Sequence, residues 1–158
     1  MRELNSEGYK LIEEFEGWSA IPYKDSVGIP TIGYGTIHYP NGAPVTMRDK
    51  SISSTEGQAF LVYEIEEKSK VIDAFLNKIG LELSDNQFSA LVSFAYNVGI
   101  APVICSGRTM NQALRSKHFE KIAEAFLPYC KGTFLGVKKV INGLKLRREK
   151  ERKLFLRG

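Results

Sequence analysis

Glu16, Asp25 and Thr31 lie within one short stretch, EGWSAIPYKDSVGIPTIGYGT, of a chain of 158 residues. Two carboxyls carried on different elements are what glycoside hydrolysis requires, one as an acid and one to handle a water or the sugar cation. Glu16 ends a run with helical periodicity. There the negative end of the helix dipole and an adjoining apolar stripe both disfavour the ionised carboxylate. A proton held near neutrality is what a leaving glycosidic oxygen needs. Each residue also has a plain structural reading: a solvated glutamate in an EEFEG run, a turn aspartate, a strand threonine. Their joint spacing is what points to chemistry.

The elements that must hold these groups follow from periodicity. Ser6 is an N-cap for a helix over 6–17, with Leu11, Ile12 and Phe15 as its apolar stripe and Gly17 as its stop. Glu16 falls at the edge of that stripe, half turned inward. Pro22, Gly28, Pro30, Gly33 and Gly35 exclude a helix over 21–38, and Tyr23, Val27, Ile29, Thr31, Ile32 and Tyr34 favour strands about a tip at 26–28. Asn41-Gly42 marks a further turn. Residues 18–48 therefore read as a small lobe of two or three short strands. From Thr55, paired with Gln58 in a capping box, a helix of ~24 residues and ~36 Å runs to about Lys78 before Gly80, long enough to join two lobes. Ser84 and Gln87 form a second capping box, opening a helix whose Phe88, Leu91, Val92, Ala95 and Val98 face a core up to Gly99. Residues 109–127 predict one helix ended by Pro128. Residues 144–156 predict the last, with Leu144, Leu146, Leu154 and Phe155 as its apolar members. The fold class is α+β and mostly helical. A β-bearing lobe spans about 18–54, a helical lobe takes 1–17 and 80–158, and the connecting helix spans about 55–79.

Composition excludes several classes. The chain is 43% apolar and 25% charged, which is ordinary for a globular domain, and no apolar run suits a spanning helix. MRELNSEGYK has no apolar core of the kind an export signal carries. His38 and His118 stand far apart with no ligand spacing, so no metal site is expected. Cys105 and Cys130 show no CxxC pattern and read as free, buried or half-buried thiols, with a disulfide between them as the alternative. Charge is uneven. Nine lysines and arginines and two glutamates between Lys138 and Gly158 give that stretch +7, against a whole-chain +4, so the rest carries −3. A basic end on a mildly acidic body suggests an anionic partner, although a charged outer face on the last helix would look the same. No RNA- or DNA-binding motif accompanies the charge, so nucleic acid is not expected.

Glu16-Gly17, the spacing to Tyr23-Lys24-Asp25, the following Gly28, and Thr31-Ile-Gly-Tyr-Gly together resemble the signature of the phage-type lysozymes, glycoside hydrolase family 24. SDNQFSALVSFAYNVG at 84–99 resembles the family's central helix, and GLKLRREKERKLFL at 143–156 its basic closing helix. The resemblance is weakest over 101–140. It implies a two-lobed lysozyme-like fold and cleavage of the β-1,4 link between N-acetylmuramic acid and N-acetylglucosamine in peptidoglycan by inversion, without metal or organic cofactor. Glu16 would be the acid, and Asp25 with Thr31 would hold the water. Tyr34, Tyr96, Asn97 and Thr109 would contact substrate. Ser106 falls nearby in the family's pattern, and Trp18 is either a sugar platform or a packing residue. Where many members carry a histidine after the GxG, this chain has Thr36, with His38 two residues on. The resemblance further implies a monomeric endolysin, kept in the host cytoplasm until a holin releases it to the wall, with the basic last helix available to an anionic envelope surface. Two alternatives stand beside it: a wall-binding protein without catalysis on the same fold, and a basic helical module that binds nucleic acid or membrane through residues 138–157.

Overall fold

The computed structural model describes residues 1–134 and 136–158. In chain order the elements are α1 (Ser6–Glu16), β1 (Ser19–Lys24), β2 (Pro30–Gly33), α2 (Ser54–Ile79), α3 (Asp85–Val98), α4 (Ala101–Ile104), α5 (Thr109–Ser116), α6 (Phe119–Ala125), β3 (Lys131–Phe134), β4 (Val137–Val140) and α7 (Asn142–Leu156). The class is α+β and mostly helical, with β1–β2 and β3–β4 each forming an antiparallel two-stranded sheet. No helix among the described residues is long and apolar enough to cross a membrane.

The chain divides into two units, one comprising Ile12–Glu67 and the other Met1–Leu11 with Lys68–Gly158. Helix α2 runs through the division. Its start differs from the sequence expectation. The capping box is Ser53 with Glu56, not Thr55 with Gln58: the Ser53 hydroxyl accepts from the Glu56 N–H at 3.1 Å and the Glu56 carboxylate accepts from the Ser53 N–H at 3.2 Å. The helix begins one residue before Thr55, which is already inside it, and Gln58 instead donates to Glu13. Gly80, at φ +66°, ends it as expected.

The smaller unit buries a short list of apolar side chains: Ile12, Ile32, Val45, Leu61 and Ile65. Much of its order comes from turns. Ile32 and Thr36 exchange backbone hydrogen bonds of 2.9 Å, closing the Gly33-Tyr34-Gly35 loop, and Tyr39 donates its hydroxyl to Asp49 at 2.7 Å. Burial, then that bond, then the Asp49 charge push the Tyr39 phenol up to about 12. Trp18 is half exposed, but its ring lies on Gly57 of α2, where any side chain would collide, and stacks obliquely on Tyr34.

The larger unit is built around α3, which is buried along most of its length from Phe88 to Tyr96. Its Ser84–Gln87 capping box and Gly99 stop match the sequence expectation. The single helix expected over 109–127 is in fact two. Lys117 takes a left-handed conformation at φ 59°, the Ser116 hydroxyl turns back onto the Ala113 carbonyl at 2.6 Å, and α6 starts afresh after His118. The break lets Met110 and Leu114 on one helix, and Ile122, Ala123 and Phe126 along the next, all reach the core.

The closing helix corrects the sequence reading further. Leu154 and Phe155 are buried, but Leu146 is half exposed and Leu144 only half buried. The interior positions fall instead to Arg147, Arg148 and Glu151. Glu151 Oε1 accepts from Ser93 Oγ at 2.8 Å and from Arg147 Nε and Arg148 Nη2 at 3.1 Å each, while Oε2 lies 2.8 Å from Arg148 Nε. Arg147 also donates to the Ser93 carbonyl, and the Arg148 guanidinium lies over the Phe94 ring. Burial raises the Glu151 pKa against the pull of Arg148 and Arg147, and burial likewise lowers that of Arg148. Two of the nine cations counted in the tail are thus core groups, and Arg152 is engaged by Glu124 at 2.6 Å. Both cysteines are free, but Cys105 is exposed rather than buried.

Candidate active site

Glu16, Asp25, Thr31 and Tyr34 all belong to the smaller unit. Glu16 is the last residue of α1. Gly17 follows at φ +67°, and its N–H closes the final turn on the Glu13 carbonyl. Ile12, one turn earlier, is fully buried, which fixes the rotation of the helix and leaves Glu16 half buried at the stripe's edge.

Asp25 closes the β1–β2 hairpin. Its Oδ1 accepts from the N–H groups of Val27 at 3.0 Å and Ile29 at 2.9 Å, and its own N–H donates to the Ile29 carbonyl. Gly28, at φ +86°, supplies the turn conformation between them. One carboxylate oxygen is therefore held by the backbone, and the other remains an acceptor. Thr31 is buried in β2, directly opposite Tyr23 of β1, and its hydroxyl donates to the Ile29 carbonyl at 2.9 Å. With that proton committed, the Thr31 oxygen presents only lone pairs to a further partner.

Tyr23 ties the constellation together, and sequence reasoning did not assign it a role. Its phenol is raised above the ordinary value by burial first, then by the charges of Glu16 and Asp25. Both carboxylates therefore act on one side chain. Gly35 is the second residue missed. A Cβ built there would lie 2.5 Å from Glu16 Oε2. The GxG loop does two things: it turns the backbone at positive φ, and it leaves room for the Glu16 carboxyl. The Tyr-x-Asp alternation and the second glycine were visible in the sequence, but neither reveals which side chain it touches.

Thr36 occupies the position where many family members carry histidine. It is buried, and its hydroxyl has no hydrogen-bond partner among the described residues. His38 is exposed, and its backbone bridges to Pro44. Tyr34 is half buried against Trp18, with ring centroids 5.1 Å apart.

Tyr96, Asn97 and Thr109 belong to the larger unit. Tyr96 is 9% exposed, with Lys68 Nζ 5.7 Å from its ring centroid. Asn97 is exposed near the end of α3. Thr109 is exposed at the start of α5 and lines an open groove of about 550 Å³ over α5 and α6, which contains none of Glu16, Asp25 or Thr31. Ser106 is exposed in the loop before α5.

A family model described as phage lysozyme matches residues 13–151. The endolysin of Bacillus phage B103 is 36% identical over 98% of this chain, which spans 54% of that protein, about half its length. The endolysin of Salmonella phage P22 is 31% identical over 99% of both chains. Among solved structures, an endolysin from Escherichia coli O157:H7 phage FAHEc1 matches with a TM-score of 0.82 and 36% identity, covering 98% of this chain and 93% of that one. With sequence and fold both matching along nearly the whole length, the chain belongs to the phage lysozyme family.

Proposed function

We propose that this protein is an endolysin-type muramidase, cleaving the β-1,4 bond between N-acetylmuramic acid and N-acetylglucosamine with inversion. The observation that carries the reading is the geometry of one small unit: Glu16 lodged against Gly35, Asp25 Oδ1 held by two backbone N–H groups, and a buried Thr31 hydroxyl whose proton is already committed. Glu16 donates its proton to the glycosidic oxygen as the C1–O bond breaks. A water on the opposite face of the sugar attacks C1 and gives its proton to Asp25, while the Thr31 oxygen accepts its second hydrogen bond. The backbone bonds to Asp25 Oδ1 fix that carboxylate in place before substrate arrives, so no reorganisation accompanies the step.

Tyr34 presents a ring to a sugar face, and the exposed Asn97 amide and Thr109 hydroxyl are available to N-acetyl and hydroxyl groups. Tyr96 contributes only its small exposed edge. The enzyme acts as a monomer, held in the host cytoplasm until a holin admits it to the wall. Exposed Lys145 and Lys153, with the half-buried Lys150, support attraction of α7 to an anionic envelope surface. Replacing these three by glutamine should slow lysis more at low than at high ionic strength, measured as turbidity loss; an unchanged salt profile rejects the attraction.

The deciding experiment is mass spectrometry of peptidoglycan digested by the purified protein. Reducing muropeptide ends are expected, with the α-anomer as the first product by NMR. Anhydro ends would reject hydrolysis, and an initial β-anomer would reject inversion.

A further inference from the structure

The β1–β2 hairpin carries both groups assigned to the water on one face. Its register sets Tyr23 opposite Thr31 and Lys24 opposite Pro30. The pairing continues into the turn, where the Asp25 N–H donates to the Ile29 carbonyl at 3.0 Å and the Ile29 N–H donates to Asp25 Oδ1 at 2.9 Å. Side chains of a strand alternate between faces, so Tyr23, Asp25, Ile29 and Thr31 share one face, and Lys24 and Pro30 the other. Ile29 is therefore the cross-strand neighbour of Asp25, at a typical separation of roughly 5 Å between Cβ atoms.

On that face Thr31 is buried, and Tyr23 and Asp25 are half buried, but Ile29 is 42% exposed. A lone exposed isoleucine elsewhere on the surface would need no explanation. This one stands beside a carboxylate that keeps one oxygen open as an acceptor. Its side chain has no polar atom, so it can neither orient a water nor bond a sugar hydroxyl. What it offers is an apolar contact for a methyl-sized group.

On the muramidase reading, on which this rests, the attacked C1 belongs to N-acetylmuramic acid, and the water lies between Asp25 and Thr31. The muramic ring then lies over the hairpin face. It has two methyl-bearing substituents, the N-acetyl group and the lactyl ether at O3. The N-acetyl group brings an amide that needs polar partners of its own, and the open oxygens of Asp25 and Thr31 are given to the water. The lactyl methyl needs none. In peptidoglycan the lactyl carboxyl is amide-linked to the stem peptide, so it brings no charge toward Asp25. We propose that Ile29 is a specificity-determining residue that packs on the lactyl methyl of N-acetylmuramic acid, favouring that sugar over N-acetylglucosamine on the water side of the scissile bond.

The test uses the full-length protein and the disaccharide dipeptide N-acetylglucosaminyl-N-acetylmuramyl-L-alanyl-D-isoglutamine in saturation-transfer difference NMR. The lactyl and N-acetyl methyl signals report separately on one bound ligand. In the parent protein the lactyl methyl should be saturated at least as strongly as the N-acetyl methyls. Ile29→Thr keeps a β-branched residue and the backbone bonds to Asp25 while removing the ethyl arm. It should lose most of the lactyl signal and keep the N-acetyl signals. Its kcat/KM on purified peptidoglycan should fall about tenfold, the worth of one methyl-sized apolar contact, and Ile29→Val should restore most of it. The position is exposed, so thermal unfolding should be unchanged in both variants. A lactyl methyl left unsaturated by the parent, with peptidoglycan still hydrolysed, overturns the proposal and leaves the muramidase reading standing. Equal loss of lactyl and N-acetyl signals in Ile29→Thr also overturns it, since the whole ligand would then have been weakened. A parent protein that releases no reducing muropeptide ends rejects the muramidase reading, and the proposal with it.

Discussion

The two units use opposite means to hold polar groups in place. In the smaller one, the carboxylate and hydroxyl assigned to chemistry are fixed by backbone: Asp25 by two N–H groups of its own turn, Thr31 by the Ile29 carbonyl, and Glu16 by a glycine that leaves it space. In the larger one, Glu151 is fixed by two arginine side chains and a serine inside a core of Phe88, Phe94, Phe126 and Phe155. A turn can hold a carboxylate while leaving it open to water and substrate. A buried ion cluster cannot do so, because its groups need one another to offset the loss of solvent. The proposed acid and water-holding groups and the buried ion cluster therefore fall in different units, and substitutions should separate them.

The sharpest separation should come from Glu16→Gln. It removes the proposed proton donor while keeping the shape, and should lower kcat by about 10²–10⁴-fold with Tm unchanged. Near-normal turnover on purified peptidoglycan would take Glu16 out of the chemistry. Glu151→Gln should do the reverse. It leaves Arg147 and Arg148 buried without a counter-charge, at a cost of about 3–5 kcal/mol in denaturant unfolding, while kcat of the folded fraction holds. A loss below about 1 kcal/mol would mean that water or another group replaces the carboxylate.

Gly35→Ala is intermediate, touching both properties. Its Cβ would press on Glu16 Oε2 at a backbone φ of +77°, so roughly 1 kcal/mol of stability and up to about 10²-fold in kcat should go together. Loss of stability without loss of activity would show that the loop, not the carboxyl, needs the glycine. A pH-dependent effect on stability alone should come in the larger unit at Asp73. Burial there opposes ionisation, but the Arg2 backbone N–H and guanidinium outweigh it and hold Asp73 below the usual carboxylate range. A lowered folded pKa contributes stability above the unfolded value, near 4, and loses it as pH falls through the folded value. Arg2→Ala should therefore cost about 2 kcal/mol at pH 7, with the difference from the parent shrinking below about pH 4. A difference independent of pH would assign the effect to the other Arg2 bonds, to Asn77 and to the Leu81 carbonyl.

What was legible in the sequence was local. Ser84 with Gln87, the glycine stops after Glu16, Ile79 and Val98, and the hairpin between Tyr23 and Thr31 each depend on residues a few positions apart, and they stand where spacing put them. The break at Lys117 was not legible. No glycine or proline marks it, and it serves the packing of two short helices rather than any local preference. The Ser53 cap was missed for a narrower reason. Two overlapping serine/threonine patterns compete there, and only the helix's actual start selects between them.

By itself, the amino-acid sequence determined the family and the mostly helical α+β class and singled out Glu16, Asp25 and Thr31 as the residues proposed for chemistry, since these rest on residue type and short spacing. Tertiary structure alone decided three things. Gly35 makes room for Glu16, Tyr23 stands opposite Thr31 across the hairpin, and Arg147 and Arg148 belong to the core with Glu151. The physical reason is common to all three. A side chain's neighbours across the fold set its solvation, and the charge on a residue says nothing of whether water or Glu151 will balance it.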